Sequence, residues 1–253
     1  MPFHVVIPSR YASTRLPGKP LLDIGGVPMI QRVVAQACAS AAADVIVATD
    51  DARIAAAVSD PRTPGKNIAV MTDTALPSGT DRVAAVARAC AWPDDTIVVN
   101  VQGDEPFLPP RLIDQVAGLL EYDRAAAIAT LAAPIDSLAE FLDPNVVKVV
   151  VSEDGAALYF SRAPIPWTRD GASSEPREFG DALRHVGLYA YRVGALRRIT
   201  AMPPSSYERR EKLEQLRAVQ GGLRIAVAAC AEPPGPGVDT EADLQRARAR
   251  AAG

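Results

Sequence analysis

The segment Pro8–Pro20, PSRYASTRLPGKP, places Arg10, Arg15 and Lys19 within ten positions, and no acidic residue precedes Asp23. Guanidinium and ammonium donors on a loop fixed by Pro and Gly suit phosphate oxygens. Spacing alone fits a solvated basic loop equally well. It is no Walker A motif, since Pro20 follows Gly18-Lys19 and Ser13 stands where the first glycine belongs. Gly25-Gly26 likewise lacks the third glycine of a dinucleotide fingerprint.

Two acidic words complement that loop. In NVQGDEP an apolar run breaks at Gly103 and exposes Asp104 and Glu105. A carboxylate there suits Mg²⁺, which takes one or two carboxylates plus phosphate oxygens and water, although a polar strand terminator has the same sequence. Asp239 opens DTEADL before a helical pattern. It reads as an N-cap or, because Thr240 and Asp243 already resemble a capping box, as a carboxylate available to a ligand. In RHVGLYAYR the strand period sets His185, Gly187, Tyr189 and Tyr191 on one face, either as a structural face or as hydrogen-bonding groups for a polyhydroxylated ligand. Glu214 and Gln215 fall off the Leu213/Leu216 face of a predicted helix, and spacing alone points both to solvent.

The elements that must position these groups alternate. Phe3–Ile7, Asp44–Thr49, Ile68–Met71, Thr96–Val101 and Ala127–Leu131 read as strands. Helical patterns intervene over Pro28–Ser40, Asp51–Val58, Gly79–Ala91 and Arg111–Leu120. Runs apolar on both faces predict an α/β fold with a mostly parallel sheet covered by helices and ligands at the strands' carboxyl ends. Beyond residue 135 the extended segments Val146–Val151, Ala156–Phe160 and Arg184–Arg192 follow without helices and predict a mixed or antiparallel insertion. A polar loop spans Ala163–Leu183. Helices over Gly194–Met202 and Tyr207–Gln220, a strand over Leu223–Ala229 and a helix from Glu241 complete the chain.

Composition excludes wide classes. With 253 residues and 48% hydrophobic content the chain can bury a full core. A net charge of −3 argues against a nucleic-acid binder. No apolar run reaches the roughly 18 residues of a membrane span, and the N-terminus lacks a basic region and cleavage site, so a cytoplasmic protein is expected. Cys38, Cys90 and Cys230 are too scattered for a metal site and read as small buried hydrophobes.

Eight words in order, RYASTRLPGKPL, PSGTDR, NVQGDEP, NVVKVV, YFSRAPIPW, RHVGLYAYR, EKLEQLR and GVDTEADL, closely resemble the CMP-KDO synthetases (3-deoxy-manno-octulosonate cytidylyltransferases). That resemblance implies a Rossmann-like nucleotidyltransferase, with residues 1–135 and 222–253 as nucleotide-binding core. Residues 136–221 would then form a sugar-binding and homodimer-forming insertion. It implies transfer of CMP from CTP to the 2-hydroxyl of KDO, which activates the sugar for lipopolysaccharide synthesis. Arg10, Lys19 and the nearby Arg15 would hold the triphosphate. Ser78, Gly79 and Thr80 would line the cytidine pocket, with Arg82 and Gln102 completing it. His185, Tyr189, Glu214 and Gln215 would face the sugar, and Arg162 its carboxylate. Asp104 and Asp239 would ligate Mg²⁺ for an in-line displacement at the α-phosphorus without a general base, so His185 is not expected to act as one. Val27 in GGVPMI is a departure, because relatives often carry Lys there. A related sugar acid, such as sialic acid or an amino-KDO, is the near alternative substrate. A non-catalytic nucleotide-binding protein of the same fold is the distant alternative.

Overall fold

The structure is a computed structural model that describes residues 2–12, 16–63, 65–169, 181–232 and 234–252. In it, β1 (Phe3–Ser9) leads through a short 3-10 turn (Lys19–Leu21) to the hairpin β2 (Asp23–Ile24) and β3 (Val27–Pro28), then to α1 (Met29–Cys38). There follow β4 (Asp44–Thr49), α2 (Ala52–Ala57), β5 (Ala69–Met71), α3 (Gly79–Ala89), β6 (Ile97–Asn100), α4 (Pro110–Tyr122) and β7 (Ile128–Pro134). The second half holds α5 (Leu138–Leu142), β8 (Lys148–Val151), β9 (Ala157–Ser161), β10 (Leu183–Arg192), α6 (Val193–Ala201) and α7 (Ser206–Glu211). It ends with α8 (Gln215–Gln220), β11 (Ile225–Ala229) and α9 (Glu241–Ala252).

The main sheet runs β11-β7-β10-β6-β1-β4-β5, with β8 and β9 attached beside β10. β1 pairs in parallel with β4 and β6, β4 with β5, and β11 with β7. Alternation along β1 explains its continuous apolar sequence. Val5 and Ile7 pack with Val33, Leu112 and Val116 on the α1/α4 face. Val6 packs with Val83, Val86 and Leu196 on the opposite face. Each such fully buried side chain contributes about 1.5–3 kcal/mol. Because both faces are covered, no strand of this centre has a polar side.

Three features depart from the sequence pattern. β10 lies inside the main sheet, antiparallel to both β6 and β7, although it falls within residues 136–221. That segment therefore contributes a central strand as well as the β8–β9 hairpin. The helix predicted over Tyr207–Gln220 is broken at Lys212, whose φ of 56° is left-handed. Finally, α3 ends at Ala89, so Cys90 is exposed; Cys38 is buried and Cys230 half-buried, all three as free thiols. Among the described residues no helix is long and apolar enough to cross a membrane.

Candidate active site

The carboxyl ends of β1 and β6 lie side by side, and their loops open a cavity of about 350 Å³. Pro8, Ser9, Arg10, Lys19, Asp104 and Asp239 are among its walls. Two glycines make this approach possible. A Cβ at Gly103 would sit 2.9 Å from the Pro8 carbonyl oxygen, and Gly18 adopts φ 67° against the Tyr11 ring. The 3-10 turn that Gly18 begins aims Lys19 into the cavity. Its Nζ donates to Asp104 Oδ2 at 2.7 Å and to Asp239 Oδ1 at 3.0 Å. Burial alone lowers the Lys19 pKa, but attraction to Asp104 and Asp239 outweighs it and the net shift is upward. Arg10 donates through Nη2 to the Leu76 carbonyl. Behind the carboxylates, burial and the charges of Asp104 and Asp239 raise the Glu105 pKa to about 8.

Thr240 relieves Asp239 of the capping role. Its hydroxyl accepts from the Asp243 N–H at 3.3 Å, while Asp243 Oδ2 accepts the Thr240 N–H at 2.8 Å. Those reciprocal bonds satisfy the start of α9, so the Asp239 carboxylate faces the cavity instead.

A second, more enclosed cavity of about 200 Å³ shares Gln102 with the first. Thr80, Asn100, Tyr189, Tyr191, Glu214 and Gln215 also line it. Among the described residues, Asn100 Oδ1 and Tyr189 Oη are buried without a hydrogen-bond partner, as is Ser9 Oγ beside the first cavity. Unpaired polar atoms facing a cavity are suited to a polar ligand, because leaving them unmet is costly. Burial raises the pKa of both tyrosines and of Glu214, the last partly offset by a hydrogen bond from Thr80. His185 Nε2 lies 2.9 Å from Thr130 Oγ1, and burial pushes its pKa down to about 3. The imidazole is thus neutral at ordinary pH and pairs with a core hydroxyl.

The cytidylyltransferase family profile matches residues 4–225. The chain belongs to the cytidylyltransferase family. A 3-deoxy-manno-octulosonate cytidylyltransferase of Xanthomonas euvesicatoria pv. vesicatoria is 56% identical over 254 residues, covering 99% of this chain and 96% of that protein. A solved CMP:2-keto-3-deoxy-manno-octonic acid synthetase complexed with CTP superposes with a TM-score of 0.88 at 44% identity, covering 100% of this chain and 99% of the other. The 2-C-methyl-D-erythritol 4-phosphate cytidylyltransferase of Thermus thermophilus, at 21% identity, TM-score 0.57 and 100% coverage of both chains, shares the fold.

In this cytidylyltransferase the expected residues divide into those brought together and those held elsewhere. Arg10, Lys19, Gln102, Asp104 and Asp239 surround the first cavity; Thr80, Gln102, Tyr189, Glu214 and Gln215 surround the second. Ser78 caps α3 by accepting from the Asp81 N–H, and its hydroxyl lies 3.4 Å from Glu214 Oε1. Gly79 lets that helix start approach Pro8, since a Cβ there would lie 3.3 Å from Pro8 Cγ. Arg82 lines neither cavity. Its fully buried guanidinium donates to Asp50 and Thr72, each at 2.5 Å, and braces the ends of β4 and β5. Arg162 lines neither cavity; it donates to the carbonyls of Glu211 and Pro144 at 2.9 Å. Arg15 lies outside the described residues.

The solvent reading of Glu214 and Gln215 is overturned, because the break at Lys212 swings α8 inward. No Gly or Pro announces that break. The Ser205–Glu208 capping box at the start of α7 was legible, but it marks where a helix begins and says nothing of where it ends. Asn100 was missed as a lining residue, since it ends a strand buried along its whole length. Tyr191, which the strand period puts on one face with Tyr189, does line the cavity.

The donor set suits a hard divalent cation. Asp104 and Asp239 already converge on one positive charge, the Lys19 ammonium, and both offer oxygen. Among the described residues no group of three or more His, Cys, Asp or Glu forms a metal cage. Substrate oxygens and water would complete the coordination of Mg²⁺, which commonly keeps several waters.

Proposed function

We propose that this chain transfers CMP from CTP to the 2-hydroxyl of KDO, giving CMP-KDO and pyrophosphate. The observation that carries this reading is the pair of cavities joined at Gln102. One is lined by Arg10, Lys19, Asp104 and Asp239, the other by enclosed, unpaired polar groups. The first suits a triphosphate, the second a polyhydroxylated sugar acid. The names of the near relatives point to the same two substrates.

Arg10 and Lys19 neutralise the phosphates and the departing pyrophosphate. Asp104 and Asp239 would hold Mg²⁺, which would supply polarisation of the phosphoryl oxygens and a lower pKa for the attacking hydroxyl. Ser78 and Gly79 at the start of α3 border the nucleoside, Thr80 stands instead on the wall of the second cavity beside Glu214, and Gln102 stands where the two substrates meet. Tyr189, Glu214 and Gln215 hydrogen-bond the sugar. His185, neutral and paired with Thr130, orients Tyr189, whose ring centroid lies 5.2 Å away, and takes no proton. Catalysis is then positioning and electrostatic stabilisation of an in-line displacement.

We further infer a cytoplasmic homodimer whose product feeds lipopolysaccharide synthesis. Among the described residues the exposed large apolar side chains include Leu142, Leu158, Trp167 and Tyr207, all within residues 136–221, which supports a contact surface there.

Pyrophosphate release from CTP tests the reading, with KDO, N-acetylneuraminate or no sugar, each with Mg²⁺ or with chelator. Release with KDO and Mg²⁺ alone is expected. Equal release with N-acetylneuraminate would move the substrate, release in chelator would remove the metal, and no release with any sugar acid would favour a binding protein.

A further inference from the structure

Glu214 and Gln215 reach the enclosed cavity only because the chain turns at Lys212. A left-handed φ on a residue with a Cβ persists where its surroundings over-determine it. Apolar packing does not do so along α7, which has no buried residue. Leu213, within the break, is buried and fixes the depth of the corner, but one side chain leaves its rotation open.

Polar contacts supply the rest. The Glu211 carboxylate accepts the Ser161 hydroxyl at 2.6 Å through Oε1 and the Arg162 N–H at 3.0 Å through Oε2. Its main-chain carbonyl accepts Arg162 Nε at 2.9 Å. The last residue of α7 is thus tied three times to the end of β9, and the carboxylate bonds are charge-assisted. That end of β9 is itself anchored: Ser161 is buried, and the Arg162 carbonyl accepts the fully buried Lys148 ammonium at 2.8 Å. Across the break, Arg217 donates twice to Glu208, at 2.8 and 2.6 Å, and so sets the angle between α7 and α8.

We infer that Glu211 is a positioning residue: its carboxylate docks the α7–α8 corner on β9 and thereby holds Glu214 and Gln215 at the sugar-acid cavity. This rests on the reading that the second cavity takes the sugar. Glu211 touches no substrate. It lines neither cavity, and its effect passes through the corner.

Steady-state kinetics with CTP and KDO test this on Glu211→Ala, Glu211→Gln, Ser161→Ala, Gln215→Ala and the double variant Glu211→Ala/Gln215→Ala. Glu211→Ala is expected to raise KM for KDO about tenfold, the scale of one or two lost charge-assisted bonds, with KM for CTP held within about twofold. Glu211→Gln keeps a single acceptor and Ser161→Ala removes one donor, so both give smaller rises in the same direction; they carry the test if Glu211→Ala does not fold. In the double variant the losses should fall short of full multiplication, because part of the Glu211 effect passes through Gln215 and the rest through Glu214. Equal rises in both KM values, no rise, or full multiplication would overturn the positioning role. Gln215→Ala alone separates the two claims. An unchanged KM for KDO there overturns the assignment of the cavity to the sugar, whereas a raised KM beside an unaffected Glu211→Ala overturns the positioning role alone.

Discussion

The two halves of the site solve opposite problems. Around Lys19 the charges are formal, close and mutually compensating, on loops at strand ends. Around Tyr189 the walls are buried, carry little charge and leave polar atoms unmet. The first half gathers charge where a polyanion and a cation must be balanced. The second withholds water so that a few hydrogen bonds can discriminate one polyol from another. Charge can be assembled from short local words, but enclosure needs distant elements to arrive in register.

Asp104→Asn should break the first half most severely. It leaves one carboxylate facing the cation and strips the charge from one of the two bonds that hold Lys19. Removing a preorganised charge of this kind costs on the order of 10²–10³ in turnover. Pyrophosphate release at saturating CTP, KDO and Mg²⁺ measures it, and KM for KDO should change far less than kcat. Turnover near that of the parent would dissolve the distinction, since the charged half would then not carry the chemistry.

Acid should find the second half first. The folded His185 value of about 3 lies below the ordinary 6.5 because of burial. Between those values the unfolded chain binds more protons, so this group's stability contribution is lost as pH falls from above 6.5 towards 3. Going from about pH 7.5 to about pH 5 removes about 2 kcal/mol on that account. Thermal unfolding of His185→Gln, which can still bond Thr130, should show a smaller drop in Tm over that interval than the parent. An unchanged drop would place the acid sensitivity elsewhere.

How much of this was legible follows from the same contrast. Arg10, Lys19 and Asp104 could be singled out because each sits in a loop whose charge and turn residues stand out locally, whereas Asp239 reads as a cap on its own and turns to a ligand only with the resemblance. The strand Asp44–Thr49 was likewise delimited by its own apolar run, with the bounds it has in the fold. β10 could not be placed, because its alternation separates two faces but carries no mark of its neighbours or of their direction. A bulge between Val186 and Tyr189 also interrupts the simple alternation read from RHVGLYAYR. The resemblance alone puts Arg82 at the nucleotide site; its partners Asp50 and Thr72 come from the ends of other strands, and no local word pairs them. Lys212 is the hardest case, since its left-handed turn is imposed by contacts at Glu211 and Leu213 and not by its own side chain.

The mildest expected effect sharpens the comparison most, because it touches the charged half through local geometry alone. Thr240→Ala removes the hydroxyl that accepts the Asp243 N–H and deprives Asp243 Oδ2 of one donor. Loss of such a cap costs about 1 kcal/mol, or roughly 2–4 °C in Tm for a chain of this size. Asp239 immediately precedes the cap, so the loosened turn should also weaken the apparent affinity for Mg²⁺ severalfold while KM for KDO stays put. If KM for KDO rises as well, the two cavities share more than Gln102, and the rigidity of the enclosed half depends on a turn it does not touch.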